Sequence, residues 1–280
     1  MLAVKPGGLY VDGTVGLGGH AAAVLEAGAP DARLVAFDRD AETMARAREA
    51  LAGYGDRVRF VHADFREIPA QLGAQRADGI LLDLGVSSVQ LDTAERGFSF
   101  QADGPLDMRL DRSQGETAAD VVNEMEEEDL ADVIYRFGED RASRRIARAI
   151  VSARRQHRIE TTGEVAAIVR RASGRPAWKP GIDSATRTFQ ALRIHVNREL
   201  ERLPETMRAL AGCLGPDGRL VVIAFHSLED RAVKHTFRAL GAEGFEVMAK
   251  KPVRPGDAEA ARNPRARSAR LRGLRRREAA

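Results

Sequence analysis

The sequence predicts an α/β fold: a parallel sheet of buried strands, interrupted by a helical insertion. Three observations carry this. Nearly continuous apolar runs recur in the first hundred residues. Helix-period segments lie between them. After Asp83 the alternation stops, and it resumes only past residue 183.

The strands are expected at "LYVD" (9–12), "RLVAFD" (33–38), "VRFVHA" (58–63) and "GILLDL" (79–84). Each is apolar on both faces, as in a strand covered on both sides. The alanine-rich "RDAETMARAREALAGYG" reads as a helix ending at Gly53 or Gly55. Strands alternating with helices make a parallel sheet. Residues 85–115, rich in Gly, Ser, Asp and Pro, read as a long loop, and 117–172 as helical. The expected domains are therefore a core of 1–104 and 183–280 with a helical insertion at 105–182. "SGRPAWKPG" (173–181) is its breaker-rich exit. One long helix is expected over "SATRTFQALRIHVNRELERL", with Phe189, Leu192, Val196, Leu200 and Leu203 as its apolar stripe. Its polar stripe, Thr186, Gln190, Arg193 and Asn197, either faces a nucleotide or packs within the core. "LGPDGRLVVIAFHS" reads as a turn and the fifth core strand, and "GFEVMAKKPV" as a further strand.

Composition narrows the function. The chain has 280 residues, 44% hydrophobic and 30% charged, which excludes a disordered protein. Its single cysteine, Cys213, excludes a disulfide framework and a cysteine-rich metal site, and it reads as a buried, inert thiol. No metal-ligand cluster is visible. No apolar run approaches membrane-spanning length and no signal-peptide pattern opens the chain, so a cytoplasmic protein is expected. The net charge is +3, but the pI is about 9.3. Eight arginines fall within Arg136–Arg158, and eight more within 262–277. Arginine forks match phosphate, so both runs are expected to contact nucleic acid. The alternative for the first run is a solvated helix face. Removing the tail is expected to weaken RNA binding and leave cofactor affinity intact.

The stretch "YVDGTVGLGGHAAAVL" places four glycines in the seven residues 13–19, between the first strand and a helix. Gly16-Leu17-Gly18-Gly19-His20-Ala21 satisfies G-x-G-x-x-A, and Asp38 ends the next strand, where a carboxylate accepts ribose hydroxyls. On this pattern alone NAD and S-adenosylmethionine both fit. Two carboxylates favour the second. Asp12 ends the first strand beside the glycines; it suits a cofactor with a free ammonium and sits awkwardly beside a pyrophosphate. Asp83 ends the fourth strand, on the edge that lines the ligand crevice.

The stretches "DGILLDLGVSSVQLDTAERGFSFQADGPLDMRLD", "YVDGTVGLGGH", "SATRTFQALRIHVNREL", "VVIAFHSLEDRAVK" and "NPRARSARLR" closely resemble the bacterial 16S ribosomal RNA cytosine-N4 methyltransferases. They span nearly the whole chain, in the family's order. The resemblance implies a Rossmann-like class I methyltransferase core with a helical insertion domain. It implies S-adenosyl-L-methionine held by Gly18, Gly19 and His20, with Asp38 on the ribose and further contacts from Phe65, Asp83 and Gln90. The implied reaction is N4-methylation of cytidine 1402 of 16S rRNA, in the decoding region of the small ribosomal subunit. No membrane and no obligate protein partner is called for. Three departures stand out. Family members usually carry a His-x-Pro-Val-Leu-like segment before "KPGG", so a contribution from it is expected to be missing. Asp183-Ser184 stands where proline is common, and Val15 where phenylalanine is.

The chemistry needs an acceptor at the cytosine N4 hydrogen, because the N4 lone pair is delocalised into the ring. Asp83 is the catalytic candidate, and His226, with Ser227 at the end of the fifth strand, is the second. Alignment of the reactants supplies most of the rate, roughly 7–11 kcal/mol in favourable cases. A base must be unstacked to reach such a site. DNA offers the same N4, so the choice of RNA rests on the resemblance. The rival classes are an NAD-dependent oxidoreductase and a non-catalytic assembly factor.

Overall fold

The computed structural model describes residues 1–174 and 183–278. The expected exit segment falls largely outside them. In chain order the elements are β1 (Leu9–Asp12), α1 (Gly19–Ala27), β2 (Arg33–Asp38), α2 (Ala41–Ala50), β3 (Val58–His62), α3 (Ile68–Leu72) and β4 (Ala77–Asp83). There follow α4 (Ser88–Asp92), α5 (Ala118–Glu124), α6 (Glu127–Gly138), α7 (Ser143–Arg154), α8 (Thr162–Ser173) and α9 (Ala185–Asn197). The chain closes with α10 (Leu203–Gly212), β5 (Leu214–Ala224), α11 (Ser227–Leu240), β6 (Phe245–Val247), α12 (Asp257–Arg262) and β7 (Arg270–Arg276).

Two compact units result, residues 1–85 with 200–280, and residues 86–199. The first holds a seven-stranded sheet in the order β3-β2-β1-β4-β5-β7-β6. β1 to β5 run parallel, and β7 is antiparallel to both its neighbours. The strands bury alternate residues on opposite faces. Val11, Val35, Phe37, Ile80 and Leu82 meet Met207, Val233 and Phe237 of α10 and α11. On the other face Tyr10, Leu34 and Ala36 meet Ala21, Leu25 and Met44 of α1 and α2. The alanine-rich helix begins where Asp40 caps it, accepting from the amides of Glu42 and Thr43. It stops at Ala50, earlier than expected, because a 3-10 turn takes over at Ala52–Arg57.

The second unit is helical, with a core that includes Leu106, Met108, Val121, Ile134, Ile146, Ile150, Val165, Phe189 and Leu192. It is wider than the 105–182 expected for the insertion. Phe98, Leu106 and Met108 tie the preceding loop into this core, and α9 adds Phe189 and Leu192 from beyond it.

Two further expectations are corrected. The helix expected over 184–203 ends at Asn197, and the next helix, α10, begins only at Leu203. Arg198 and Arg202 take left-handed conformations, with φ of 50° and 54°, which ends α9 at Asn197. The apolar stripe is thereby divided: Phe189 and Leu192 pack in the helical unit, Leu200 and Leu203 in the sheet unit. The arginine tail is not a free arm. Its residues 270–276 form β7, inserted between β5 and β6. The counter-charges of these arginines come from elsewhere in the chain. Arg272 is 7% exposed and pairs with Asp230 at 2.7 Å, with Arg270 on the same carboxylate at 3.2 Å. Arg275 pairs with Glu246 and Asp217, and Arg276 donates to the Leu214 carbonyl.

Candidate active site

In an open parallel sheet, ligands bind outside the carboxyl ends of the strands, where the strand order reverses. Here that point lies between β1 and β4. Those two strands end in Asp12 and Asp83, and β2 ends in Asp38.

Asp12 is 2% exposed. Its Oδ1 accepts from the Thr14 amide at 3.1 Å, while its Oδ2 is buried with no hydrogen-bond partner. Burial, with the like charges of Asp83 and Asp38 nearby, pushes its carboxyl up to about 7. Asp83 is also orphaned at one oxygen, Oδ1. Its Oδ2 lies 3.7 Å from Nδ1 of His20. Burial pushes this carboxyl up to about 6, with His20 opposing and Glu229 adding to the shift. The Asp83 amide donates to the Thr14 hydroxyl at 2.7 Å, which ties the loop after β1 to the end of β4.

The glycine loop is shaped by crowding and by handedness. A Cβ on Gly13 would lie 2.3 Å from Leu82 Cδ2, so only glycine lets β1 leave the sheet here. Gly18, at φ 86°, is the N-cap of α1 and supplies no side-chain cap. Nor is there an acidic residue in the first turn, so the first amides of α1 and the positive end of its dipole remain available. A Cβ on Gly19 would meet nothing within 4 Å: the helix start opens onto free space.

The sequence-predicted residues fall as follows. Gly18, Gly19, His20, Asp38 and Asp83 stand on this one edge. His20 is the second residue of α1, with a side chain 52% exposed. Asp38 has a structural task besides any on a ribose: its oxygens accept from the amides of Gly16, at 3.0 Å, and Asp40, at 2.9 Å. Each oxygen keeps a second lone pair for a hydroxyl, and burial raises its pKa. Phe65 is half-buried just past β3, with the Arg66 guanidinium 5.6 Å over its ring. Gln90 belongs to the helical unit, where its Oε1 accepts from the Ser87 amide at 2.7 Å and caps α4.

His226 does not stand at a strand terminus: β5 ends at Ala224, and His226 caps α11. Its Nδ1 accepts from the Glu229 amide at 3.4 Å. Its Nε2 is buried, without a hydrogen bond, 3.2 Å from Glu229 Oε1. The polar stripe of α9 packs inside its own unit. Gln190 donates to the Phe137 carbonyl, Arg193 forks onto Glu199, and Asn197 clamps the backbone of Met108 and Leu110; Thr186 is exposed.

Sequence reasoning missed Thr14 and Glu229. Thr14 gives no signal beyond its place in the glycine loop. Glu229 is 1% exposed and accepts from the amide of Phe225 at 3.0 Å. Its position three residues after His226 is the spacing of a capping box.

The donor set fits one kind of cofactor. Three carboxylates at adjacent strand ends, two with an orphaned buried oxygen, call for hydrogen-bond donors and positive charge. They would repel a pyrophosphate. Together the sheet order, with its one reversed strand, and this acidic edge define a methyltransferase core whose methyl donor is S-adenosylmethionine.

The chain belongs to the MraW methylase family, whose model matches residues 1–277. Relatives bear the name ribosomal RNA small subunit methyltransferase H. One from Sorangium cellulosum is 52% identical, over 96% of this chain and 85% of the relative. One from Geobacter sp. is 48% identical over 97% and 93%, and one from Gloeobacter violaceus 52% over 98% and 84%. Among the described residues, no helix is long and apolar enough to cross a membrane.

Proposed function

We propose that this chain is a cytoplasmic enzyme that methylates the exocyclic N4 of cytidine 1402 of 16S rRNA, in the decoding region of the small subunit. The relatives' names support ribosomal RNA as the substrate, and the motif resemblance supports N4 and the position. The single observation that carries the site is the pair of buried, unpartnered oxygens, Asp12 Oδ2 and Asp83 Oδ1, on neighbouring strands.

S-adenosylmethionine supplies an electrophilic methyl group on a sulfonium. Asp12 would hold its ammonium, and the uncapped amides at Gly19 and His20, presented by the turn at Gly18, its carboxylate. Asp38 would take the ribose hydroxyls, and the motif resemblance supports Phe65 and Gln90 as further cofactor contacts. Asp83 then has an oxygen left for the N4 hydrogen of the base. Raised by burial, its carboxyl is a better proton acceptor than an ordinary aspartate. His226 is the second candidate: with Nδ1 accepting from the Glu229 amide, the neutral ring carries its N–H on Nε2, 3.2 Å from Glu229 Oε1, which would orient it toward the base. The helical unit, with the exposed Arg141, Arg144 and Arg155 on and beside α7, would recognise the RNA backbone.

The test of the site is a calorimetric titration with S-adenosylmethionine and, separately, with NAD. Binding of the first alone, weakened in Asp83→Asn, supports the assignment. Binding of NAD, or an Asp83→Asn variant with normal donor affinity and normal methyl transfer, overturns it.

A further inference from the structure

We infer that the basic strap joining β6 to β7, residues 248–269, is a docking surface for the phosphodiester backbone of the RNA strand that carries the target base. The inference deepens the rRNA-methylation reading and rests on it.

Register fixes where the strap lies. β7 runs antiparallel to β5, with Arg270 opposite Ala224. Ala224 is the carboxyl end of β5, so β7 begins on the same sheet edge where Asp12, Asp38 and Asp83 end their strands. β6 runs antiparallel to β7, with Val247 opposite Leu274, so the chain also leaves β6 toward that edge. The strap thus departs and returns on the edge that bears the carboxylates. Reciprocal 2.9 Å hydrogen bonds between Val253 and Leu271 pin it to β7.

Most of the cations fall into two groups. Arg270, Arg272 and Arg275, within β7, are paired with carboxylates, and Arg276 with a carbonyl. Lys250, Lys251, Arg254, Arg262 and Arg267, on the strap, are all exposed. None of these five has a side-chain partner among the described residues. Asp257 and Glu259 are the strap's carboxylates, both in the first turn of α12. Like charges crowded on an anchored segment repel one another unless a polyanion meets them. A phosphodiester backbone is such a polyanion, and arginine forks match its geometry. The neighbouring carboxylates repel phosphate, so a strand would seat its backbone on the strap and offer only a base to the acidic edge. β4 and β7 are separated by β5 alone, which places them roughly 10 Å apart. That is about three rises of a stacked strand. Phosphates about three nucleotides from a base at Asp83 would therefore lie over the strap.

The test replaces the five cations together (K250Q, K251Q, R254Q, R262Q, R267Q) and measures anisotropy of a labelled small-subunit rRNA fragment from about 50 to 200 mM salt. The slope of log affinity against log salt is expected to fall by about 0.7 per lost phosphate contact. Affinity at low salt should drop more than tenfold, with S-adenosylmethionine affinity and thermal midpoint unchanged. A partner variant that exchanges Lys for Arg and Arg for Lys at the five positions should keep the wild-type slope. Wild-type slope and affinity in the glutamine variant, or a slope lost in the exchanged variant, would overturn the inference. Methyl transfer by the wild type separates the two readings. Transfer with a dispensable strap sinks the strap alone. RNA binding that depends on the strap, without transfer to any rRNA, supports the strap and sinks the rRNA-methylation reading.

Discussion

Asp12→Asn should stabilise the fold and damage the site at once. The carboxyl is buried with one oxygen unpartnered, and its pKa is pushed from 3.8 to about 7. A carboxyl raised in this way holds its proton longer in the folded chain than in the unfolded one. The wild type therefore loses stability as pH climbs from about 4 to about 7. A gap of about three pH units corresponds to about 4 kcal/mol of charge-burial penalty above pH 7. Asparagine removes that penalty. Its carbonyl can still accept from the Thr14 amide, but its NH2 replaces the orphaned oxygen and lacks an acceptor, at a cost of about 1–3 kcal/mol. The net gain at pH 8 is thus about 1–3 kcal/mol, and at pH 5, where wild-type Asp12 is already neutral, it vanishes or reverses. Urea unfolding followed by circular dichroism at both pH values reads this difference. Calorimetry at pH 8 should show S-adenosylmethionine affinity reduced about 10- to 100-fold, the loss expected for a hydrogen bond to a charged group. Equal destabilisation at both pH values, or unchanged donor affinity, would refute the reasoning.

Four other outcomes follow from packing. Gly13→Ala forces a Cβ to within 2.3 Å of Leu82 Cδ2 and should cost about 1–3 kcal/mol as overpacking, visible as a lower thermal midpoint. Gly19→Ala meets nothing within 4 Å; it should leave the midpoint unchanged and weaken donor binding in the same calorimetric assay. Arg272→Met leaves buried Asp230 with Arg270 as its remaining partner and should cost about 1.5–3 kcal/mol, as for lost hydrogen bonds to a charged group, measured by urea unfolding. Adding Asp230→Leu should recover part of it. Ending the chain at Ser268 removes β7 from between β5 and β6. It should therefore abolish cooperative unfolding and donor binding together, where a free RNA-binding arm would lose RNA affinity alone.

The sheet up to Asp83 was legible because β1, β2 and β4 are short apolar runs closed by a carboxylate and buried on both faces; β3, at the sheet edge, buries only Val58. The site was legible for the same reason: β1, β2 and β4 end in Asp12, Asp38 and Asp83, and parallel strands bring such ends to one edge. The division of the 184–203 helix was not legible. Arg198 and Arg202 are ordinary helix formers, and nothing in their residue type announces the left-handed backbone they adopt. The internal pairing of the tail's arginines was not legible because they read as a run of like charge. Their partners Asp230, Glu246 and Asp217 lie 29 to 58 residues away in sequence, and no local pattern announces them. His226 looked like the end of a strand because "VVIAF" is apolar to its last residue; the capping contact with Glu229 shows only once α11 is built.

The central claim is that the acidic carboxyl edge serves methyl transfer to small-subunit rRNA. Its most direct test incubates the protein and radiolabelled S-adenosylmethionine with small subunits that lack the modification, and in parallel with naked 16S rRNA, then maps the labelled nucleoside. The expected result is N4-methylcytidine at one site, position 1402, and loss of the label with Asp83→Asn. Label on another base or another atom, or no label from a protein that binds the donor normally, would contradict it.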